Sequence, residues 1–444
     1  MRDPAPLRRV LLVSPHFPPV NAPDAQRARL NLPYFREFGW EPVVLAVDPR
    51  QVPGRHDTPP ASALPSDVTV HRCGALPAGL TRFAGLGSLG PRAWLHLRGA
   101  GAHLLHRERF DLVFFSTTQF LVFTLGAGWK KKFGVPFVID VQDPWRTDYY
   151  ERPGAPPPPG GWKYRFARWQ AGRFEEPAFR PAAGFVSVSE SYLGQLRARY
   201  PWFSDKPSVV IPFGGSEADF AGVQGDPAIA PAFSPEPGCA HLVSVGAVGS
   251  IMSGALQALF AALRAFRDEQ PALAARLRLH FIGTSYAPSA QAMPTVKPIA
   301  ESHGVGDLVS EQPARIGYPE SLKTMLAADA LLLLGSDDPG YTPSRIAPYF
   351  LADRPVLAFV PAGSAAEARL AELDFARIVS LPAAANMRQA RDFFSALAAD
   401  PARLQTGPRN TPFFNAQFTA RAGTRRLCEF FDQSLAAQTD AHDW

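Results

Sequence analysis

The 444-residue sequence contains only three cysteines, Cys73, Cys239 and Cys428, widely spaced and without a Cys-x-x-Cys. A disulfide framework and a cysteine zinc site are therefore excluded, and a reducing compartment is expected. No uninterrupted apolar run reaches the roughly 18 residues a membrane-spanning helix needs. Met1 to Val10 carries charge but no apolar stretch of the signal-peptide kind. The expectation is a cytoplasmic protein, at most peripheral on the inner face of a membrane. Charge of neither sign predominates, the net being +5. Nucleic-acid binders concentrate charge on one face, and an excess this small gives no ground for that partner. No Gly-x-Gly-x-x-Gly follows the first apolar run, which disfavours a dinucleotide oxidoreductase. No Asp-x-Asp stands in a suitable loop, and neither a metal nor another cofactor is expected.

What is present is globular: 46% hydrophobic and 19% charged residues. The length exceeds what one core serves, so two domains are expected. Short apolar runs alternate with amphipathic stretches throughout, the pattern of α/β units built on parallel strands. Arg9 to Ser14 reads as the first strand, running into Ser14-Pro15-His16-Phe17-Pro18-Pro19, and helical periodicity follows from Asp24 to Phe38, closed by Gly39. Leu80 to Phe110 interleaves leucines with Arg82, Arg92, Arg98, Arg107 and Arg109, with Glu108 its only acidic residue. Such a segment either packs its apolar side on a sheet, the commoner case, or lies on an anionic membrane surface. Trp162 to Phe179 reads as an amphipathic helix. Pro, Gly and Ala dominate 223–238, the expected linker between an N-terminal domain, 1–222, and a second, 239–412. A long helix within 413–444 is expected to return toward the first domain.

Three places carry chemistry. The strand Val135 to Val141 leads into Gln142-Asp143-Pro144-Trp145-Arg146, placing Asp140 and Asp143 at a carboxyl edge where either could act as general base. Asp143, followed by Pro144, is held out of helical geometry and is the first choice. Helix capping or an ion pair with Arg146 is the plainer alternative. In the second half, Gly246 and Gly249 follow a strand and precede a helix, a turn whose backbone approaches a phosphate closely. Finally, Tyr341-Thr342-Pro343-Ser344-Arg345 lies between two apolar runs, with Ser344 as a helix cap and Arg345 as a phosphate fork, or as a solvated arginine beside an ordinary crossover helix.

Taken in order, these pieces resemble the retaining glycosyltransferases of the B-type fold, family 4-like. Ser14 to Pro19 with Arg27, Phe133 to Asp143 with Trp145, Ser187-Val188-Ser189-Glu190, Val210 to Gly214, Thr342 to Ile346 and Arg354 to Leu357 carry the resemblance. It implies two Rossmann-like doubly wound domains facing across a cleft. The second would bind a nucleotide-sugar donor through Gly246, Gly249, Arg315, Tyr341, Thr342, Ser344 and Arg345. The first would bind a glycan, lipid-linked or small-molecule acceptor, with His16, Arg27 and Trp145 on that side, in polysaccharide biosynthesis or a related pathway. An anionic membrane surface is a further expected partner. Two departures stand out. The family's Glu-x7-Glu positions are Gly340 and Pro348, and its cations after the Val245-Gly246 strand end are replaced by Ala247 and Met252-Ser253-Gly254. Only Arg345 and Arg315 then remain to neutralise a diphosphate. Those losses are also what a non-catalytic binding or assembly module of the same fold would show, and a nucleotide-sugar epimerase is a third, weaker reading.

Overall fold

Runs such as Val10-Leu11-Leu12-Val13 and Leu331-Leu332-Leu333-Leu334 are apolar at every position, so they need cover on both faces. In the computed structural model they are central strands of two parallel sheets with helices on both sides. The structure describes residues 6–52, 56–57, 64–81, 87–151, 158, 161–285, 287, 291–338, 340–382, 387–404 and 406–440. The chain divides into two compact units, the first drawn from Met1–Pro59, Ala63–Phe213 and Ala420–Trp444, the second spanning Gly214–Thr419.

The first unit contains strands β1 (Arg8–Val13), β2 (Trp40–Val47), β3 (Thr69–Cys73), β4 (Leu112–Ser116), β5 (Phe137–Val141), β6 (Gly184–Ser187) and β7 (Ser208–Val210). Their spatial order is β3-β2-β1-β4-β5-β6-β7, all parallel. Its helices are α1 (Ala25–Asn31), α2 (Ala78–Thr81), α3 (Leu89–Arg107), α4 (Thr124–Phe133), α5 (Trp162–Phe179) and α6 (Glu190–Arg199). The second unit contains α7 (Glu217–Gln224), β8 (Ala240–Val245), α8 (Ser253–Glu269), α9 (Pro271–Ala274), β9 (Leu277–Ile282), α10 (Lys297–Ser302), β10 (Val309–Gln312), α11 (Tyr318–Ala327), β11 (Ala330–Leu334), α12 (Ile346–Leu351), β12 (Val356–Pro361), α13 (Ala365–Leu373), β13 (Ala376–Leu381), α14 (Met387–Ala399) and α15 (Thr411–Gln417). Its parallel sheet has the order β10-β9-β8-β11-β12-β13. The chain then returns to the first unit as α16 (Ala420–Asp440). In each sheet the strand order reverses once, between β1 and β4 and between β8 and β11. Crevices for ligands open at the carboxyl ends of such pairs.

One face of the first sheet is covered by α3, α4, α5 and α6, the other by α1, the 3-10 turns Leu32–Phe38 and α16. On that second face Phe431 of α16 meets Trp40 edge-on at 5.2 Å and Phe114 at 5.0 Å. The helix lies so close that a Cβ on Gly184 would come within 2.8 Å of the Phe430 ring and of Ser434 Oγ.

One expectation is corrected and another is narrowed. The linker is not at 223–238: the chain leaves the first unit at Phe213, and Phe220, Val223 and Phe233 are buried in the second unit's core. Proline and glycine there mark an irregular but packed segment. Within Leu80–Phe110, residues 82–86 lie outside the described residues, and α3 buries Leu89, Ala93, Leu97, Leu104 and Leu105 against the sheet. Arg92 is buried too, donating to the Leu76 and Gln51 carbonyls at 2.7 and 2.8 Å. The inward side of α3 thus packs on the sheet, the commoner of the two readings, while Leu95 and Arg98 on its outer side stay exposed.

Because Phe431 fills the space between three aromatic rings, Phe431→Ala should destabilise the first unit by about 3–5 kcal/mol. Urea unfolding followed by far-ultraviolet circular dichroism would check this. A loss under about 1 kcal/mol would mean that α16 adds little to that core.

Candidate functional site

At the β1/β4 reversal the loop after β1 turns back on itself, with Ser14 Oγ donating to the His16 carbonyl at 2.7 Å. Asp24 stands where a helix cap would be, before α1, yet its side chain makes no cap bond. Instead Oδ1 lies 2.9 Å from His16 Nδ1, and Oδ2 accepts from Thr117 Oγ1 at 3.0 Å and the Thr118 N–H at 3.1 Å. Burial alone would raise the Asp24 pKa, but His16 and the two threonine donors outweigh it and hold the carboxyl below its usual value. The carboxylate fixes the His16 tautomer with Nδ1 protonated, leaving Nε2 as the nitrogen available to a ligand.

Asp140, on β5, is fully buried. Its Oδ2 pairs with Arg27 Nε at 2.8 Å and accepts from Ser116 Oγ at 3.0 Å and Gln142 Nε2 at 2.8 Å. Arg27 is buried as well, donates to the Ile211 carbonyl at 2.7 Å and stacks its guanidinium over Phe213 at 5.2 Å. Burial pushes the Asp140 carboxyl up, while Arg27 opposes the shift. Two roles are thereby corrected. Asp140 is no accessible base and Arg27 no acceptor contact, because each is the other's partner inside the wall. Trp145 is likewise a core ring, stacked on Phe120 at 5.9 Å and flanked by Phe123 and Phe179.

Asp143 differs from Asp140 in exposure and in partners. It is exposed just beyond the end of β5, and its carboxylate has no hydrogen-bond or ion-pair partner among the described residues. Arg146, the plain alternative partner, directs its Nε to Asp148 at 3.8 Å. The protein mass around Asp143, and then the negative charge of Asp24, push its pKa up to about 6. The loop that presents it is anchored by Glu175, which is buried on α5 and accepts from the Arg146 N–H at 3.0 Å, Arg199 Nη1 at 2.8 Å and Tyr200 Oη at 2.9 Å. Arg199 also donates to the Arg146 carbonyl at 3.1 Å.

In the second unit, Gly246 ends β8 with φ +107°, a region in which a side chain would be strained. Arg345 reaches this turn from the loop after β11: Nη2 donates to the Ala247 carbonyl at 2.8 Å, and buried Nη1 has no partner among the described residues. A Cβ on Gly246 would sit 3.3 Å from Nη2. The glycine and the arginine therefore fit together at the β8/β11 reversal. Arg315 lies close by, its Cα 3.7 Å from where a Gly283 Cβ would point at the end of β9. Tyr341 packs half-buried on the core face that carries α8, and Thr342 is also half-buried. Gly249 has an extended backbone, φ −98°, and open space around it.

Ser344 is corrected. The helix α12 opens at Ile346 with Arg345 in the cap position and no side-chain cap bond, leaving Ser344 exposed one residue outside. With Arg345 at the cap position, Pro348 is the third helical residue and supplies no N–H there. The sequence reading also missed Asp24, whose place before a helix looks like capping, and Asp337. The Asp337 carboxylate accepts from the Gly254 N–H at the start of α8, near where the family pattern has a cation.

Residues 25–214 match the family model described as a glycosyl transferase 4-like domain. No curated protein matches the sequence. Among solved structures, the chain is similar to Anabaena HepE in complex with UDP and glucose (14% identity, 95% of this chain and 99% of that one, TM-score 0.58). It is also similar to WaaG, a glycosyltransferase involved in lipopolysaccharide biosynthesis (14%, 96% and 98%, 0.53). A third is the α,α-trehalose 6-phosphate synthase from Burkholderia multivorans (13%, 99% of both chains, 0.57). Coverage of both chains from end to end makes the fold the B-type glycosyltransferase fold, with two Rossmann-like units.

The raised pKa of Asp143 has a stability consequence. A carboxyl whose folded pKa lies above its unfolded value near 3.8 contributes stability below that value, which is lost as pH rises through about 6. Asp143→Asn should therefore raise the melting temperature at pH 7.5 by roughly 1–3 °C, discounted for exposure, and by less at pH 4.5. Equal shifts at both pH values in differential scanning fluorimetry would show that the carboxyl is unperturbed.

Proposed function

We propose that this protein transfers a glycosyl group from a nucleoside-diphosphate sugar to the hydroxyl of a glycan, lipid-linked or small-molecule acceptor. The observation that carries this reading is the Arg345 guanidinium fixed on the Gly246–Ala247 turn with Nη1 unpartnered. Half of a phosphate-binding fork is thus spent on the backbone, while the other half is held ready where an open parallel sheet binds its ligand. The donor is read onto the second unit and the acceptor onto the first.

In the reaction the acceptor oxygen forms a bond to the anomeric carbon, and the bond from that carbon to the diphosphate oxygen breaks, its electron pair leaving with the diphosphate. Arg345, with Arg315 beside the turn, stabilises the charge that develops there. The acceptor hydroxyl loses its proton to Asp143, which is exposed and, with a pKa of about 6, ionised at neutral pH. The match of residues 25–214 to a glycosyl transferase 4-like domain supports the class.

A panel of UDP, GDP, ADP and TDP tests the donor half. At a hundred times its dissociation constant a ligand adds about 2.7 kcal/mol, so one of the four should raise the melting temperature by several degrees. Arg345→Ala should abolish that shift and change the unliganded melting temperature little. An undiminished shift would take Arg345 out of the site, and no shift with any diphosphate would overturn the donor class.

A further inference from the structure

Large aromatic side chains on a folded surface are few, and here three of them stand on one helix. Trp162, Phe166 and Trp169 of α5 are 62%, 37% and 60% exposed. At about 100° per residue these positions fall within about 60° of one another, and they point away from the side on which Ala171 and Ala178 are buried. The stripe therefore cannot be core. The inward flank of the helix is secured by other contacts: Tyr164 packs edge-on against Tyr150 at 5.5 Å, and Arg168 pairs with Glu151 at 2.6 Å.

The charge that α5 itself exposes beside the stripe has one sign. Lys163, Arg165 and Arg173 are exposed on α5, and no acidic residue lies between Trp162 and Phe174. The neighbouring helix α4 packs against α5 and ends in exposed Lys131 and Lys132. Tryptophan and phenylalanine with a cationic border suit the headgroup layer of an anionic bilayer, where rings enter the apolar boundary and cations meet phosphate. A second copy of the chain suits it less well, because a two-fold contact would set these cations against their own counterparts.

We propose that the exposed face of α5, centred on Trp162, Phe166 and Trp169 and bordered by Lys163, Arg165 and Arg173, docks the protein on an anionic lipid surface. The proposal goes beyond the reading of the reaction and does not depend on it, since its test uses neither donor nor acceptor. No described helix is long and apolar enough to cross a membrane, so the attachment is of the surface kind.

Flotation of the full chain with vesicles of phosphatidylglycerol and phosphatidylcholine, against phosphatidylcholine alone, tests it. Wild type should float only with the anionic vesicles, and W162S/F166S/W169S should reduce recovery roughly tenfold or more. K163S/R165S should weaken flotation and make it collapse at lower salt. R388S/R403S removes the same charge from side chains that are 85% and 88% exposed in the second unit, and should leave recovery unchanged. All these side chains are at the surface, so melting temperatures should stay at the wild-type value. Failure of wild type to float, flotation of the aromatic variant as well as wild type, or an equal loss in R388S/R403S would overturn the proposal. So would light scattering that finds a dimer dissolved by W162S/F166S/W169S, which would assign the face to a second copy.

Discussion

The arrangement of the first unit depends on one buried ion pair, Arg27 with Asp140. A charge taken out of water must be paired and hydrogen-bonded, and the elements that supply the partners are fixed relative to one another as a result. Here Arg27 brings α1, Asp140 brings β5, Ser116 brings the end of β4, and the Ile211 carbonyl brings the segment after β7. Gln142 extends the network, donating to Asp140 and to Ser116 Oγ. Such a pair need not add net stability over a well-packed apolar substitute. What it adds is a single register for the strand ends, and that register places His16, Asp24 and Asp143 at the same edge of the sheet.

The same edge then separates two carboxylates that the sequence sets three positions apart. Asp140 is buried beside the positive charge of Arg27 and two further donors, Ser116 and Gln142, so it has a structural task. Asp143 has no such partner, and the protein mass around it, then the negative charge of Asp24, favour its protonated form. Environments that differ in this way divide roles between otherwise equal groups. The buried Glu175 lies outside this edge but serves it, because its bonds to Arg146, Arg199 and Tyr200 hold the loop on which Asp143 rides.

Much of the fold was legible in the sequence, for a definite reason. Parallel strands covered on both faces must be apolar at consecutive positions, and such runs are hard to mistake. The faces of helices were less legible. Periodicity gives the angle of an apolar stripe but not whether the protein covers it, so Leu89, Leu97, Leu104 and Leu105 turned inward while Trp162, Phe166 and Trp169 turned out. Single polar residues were least legible. Asp24 precedes a helix as a cap does, but its carboxylate is taken by His16 in the preceding loop and by Thr117 from a distant part of the chain. Ser344 failed as a cap because α12 opens one residue later than its spacing implied.

In the second unit the donor site proposed above would keep its expected place with altered electrostatics. A helix N-terminus attracts an anion through its free N–H groups and its dipole. At α8 that attraction is already met in part by the Asp337 carboxylate, bonded to the Gly254 N–H. A diphosphate lying against α8 would meet this negative charge without the cations that the family pattern sets after β8. On the other side of the same crevice Arg345 offers an unpaired Nη1, with Arg315 beside it. Coulomb attraction therefore favours phosphate on the Arg345 side, and Gly246 leaves the room for it: a side chain there would crowd the guanidinium at 3.3 Å. The lack of a cation after β8 and the close fit of Gly246 to Arg345 thus belong to one charge distribution, with its positive side at Arg345.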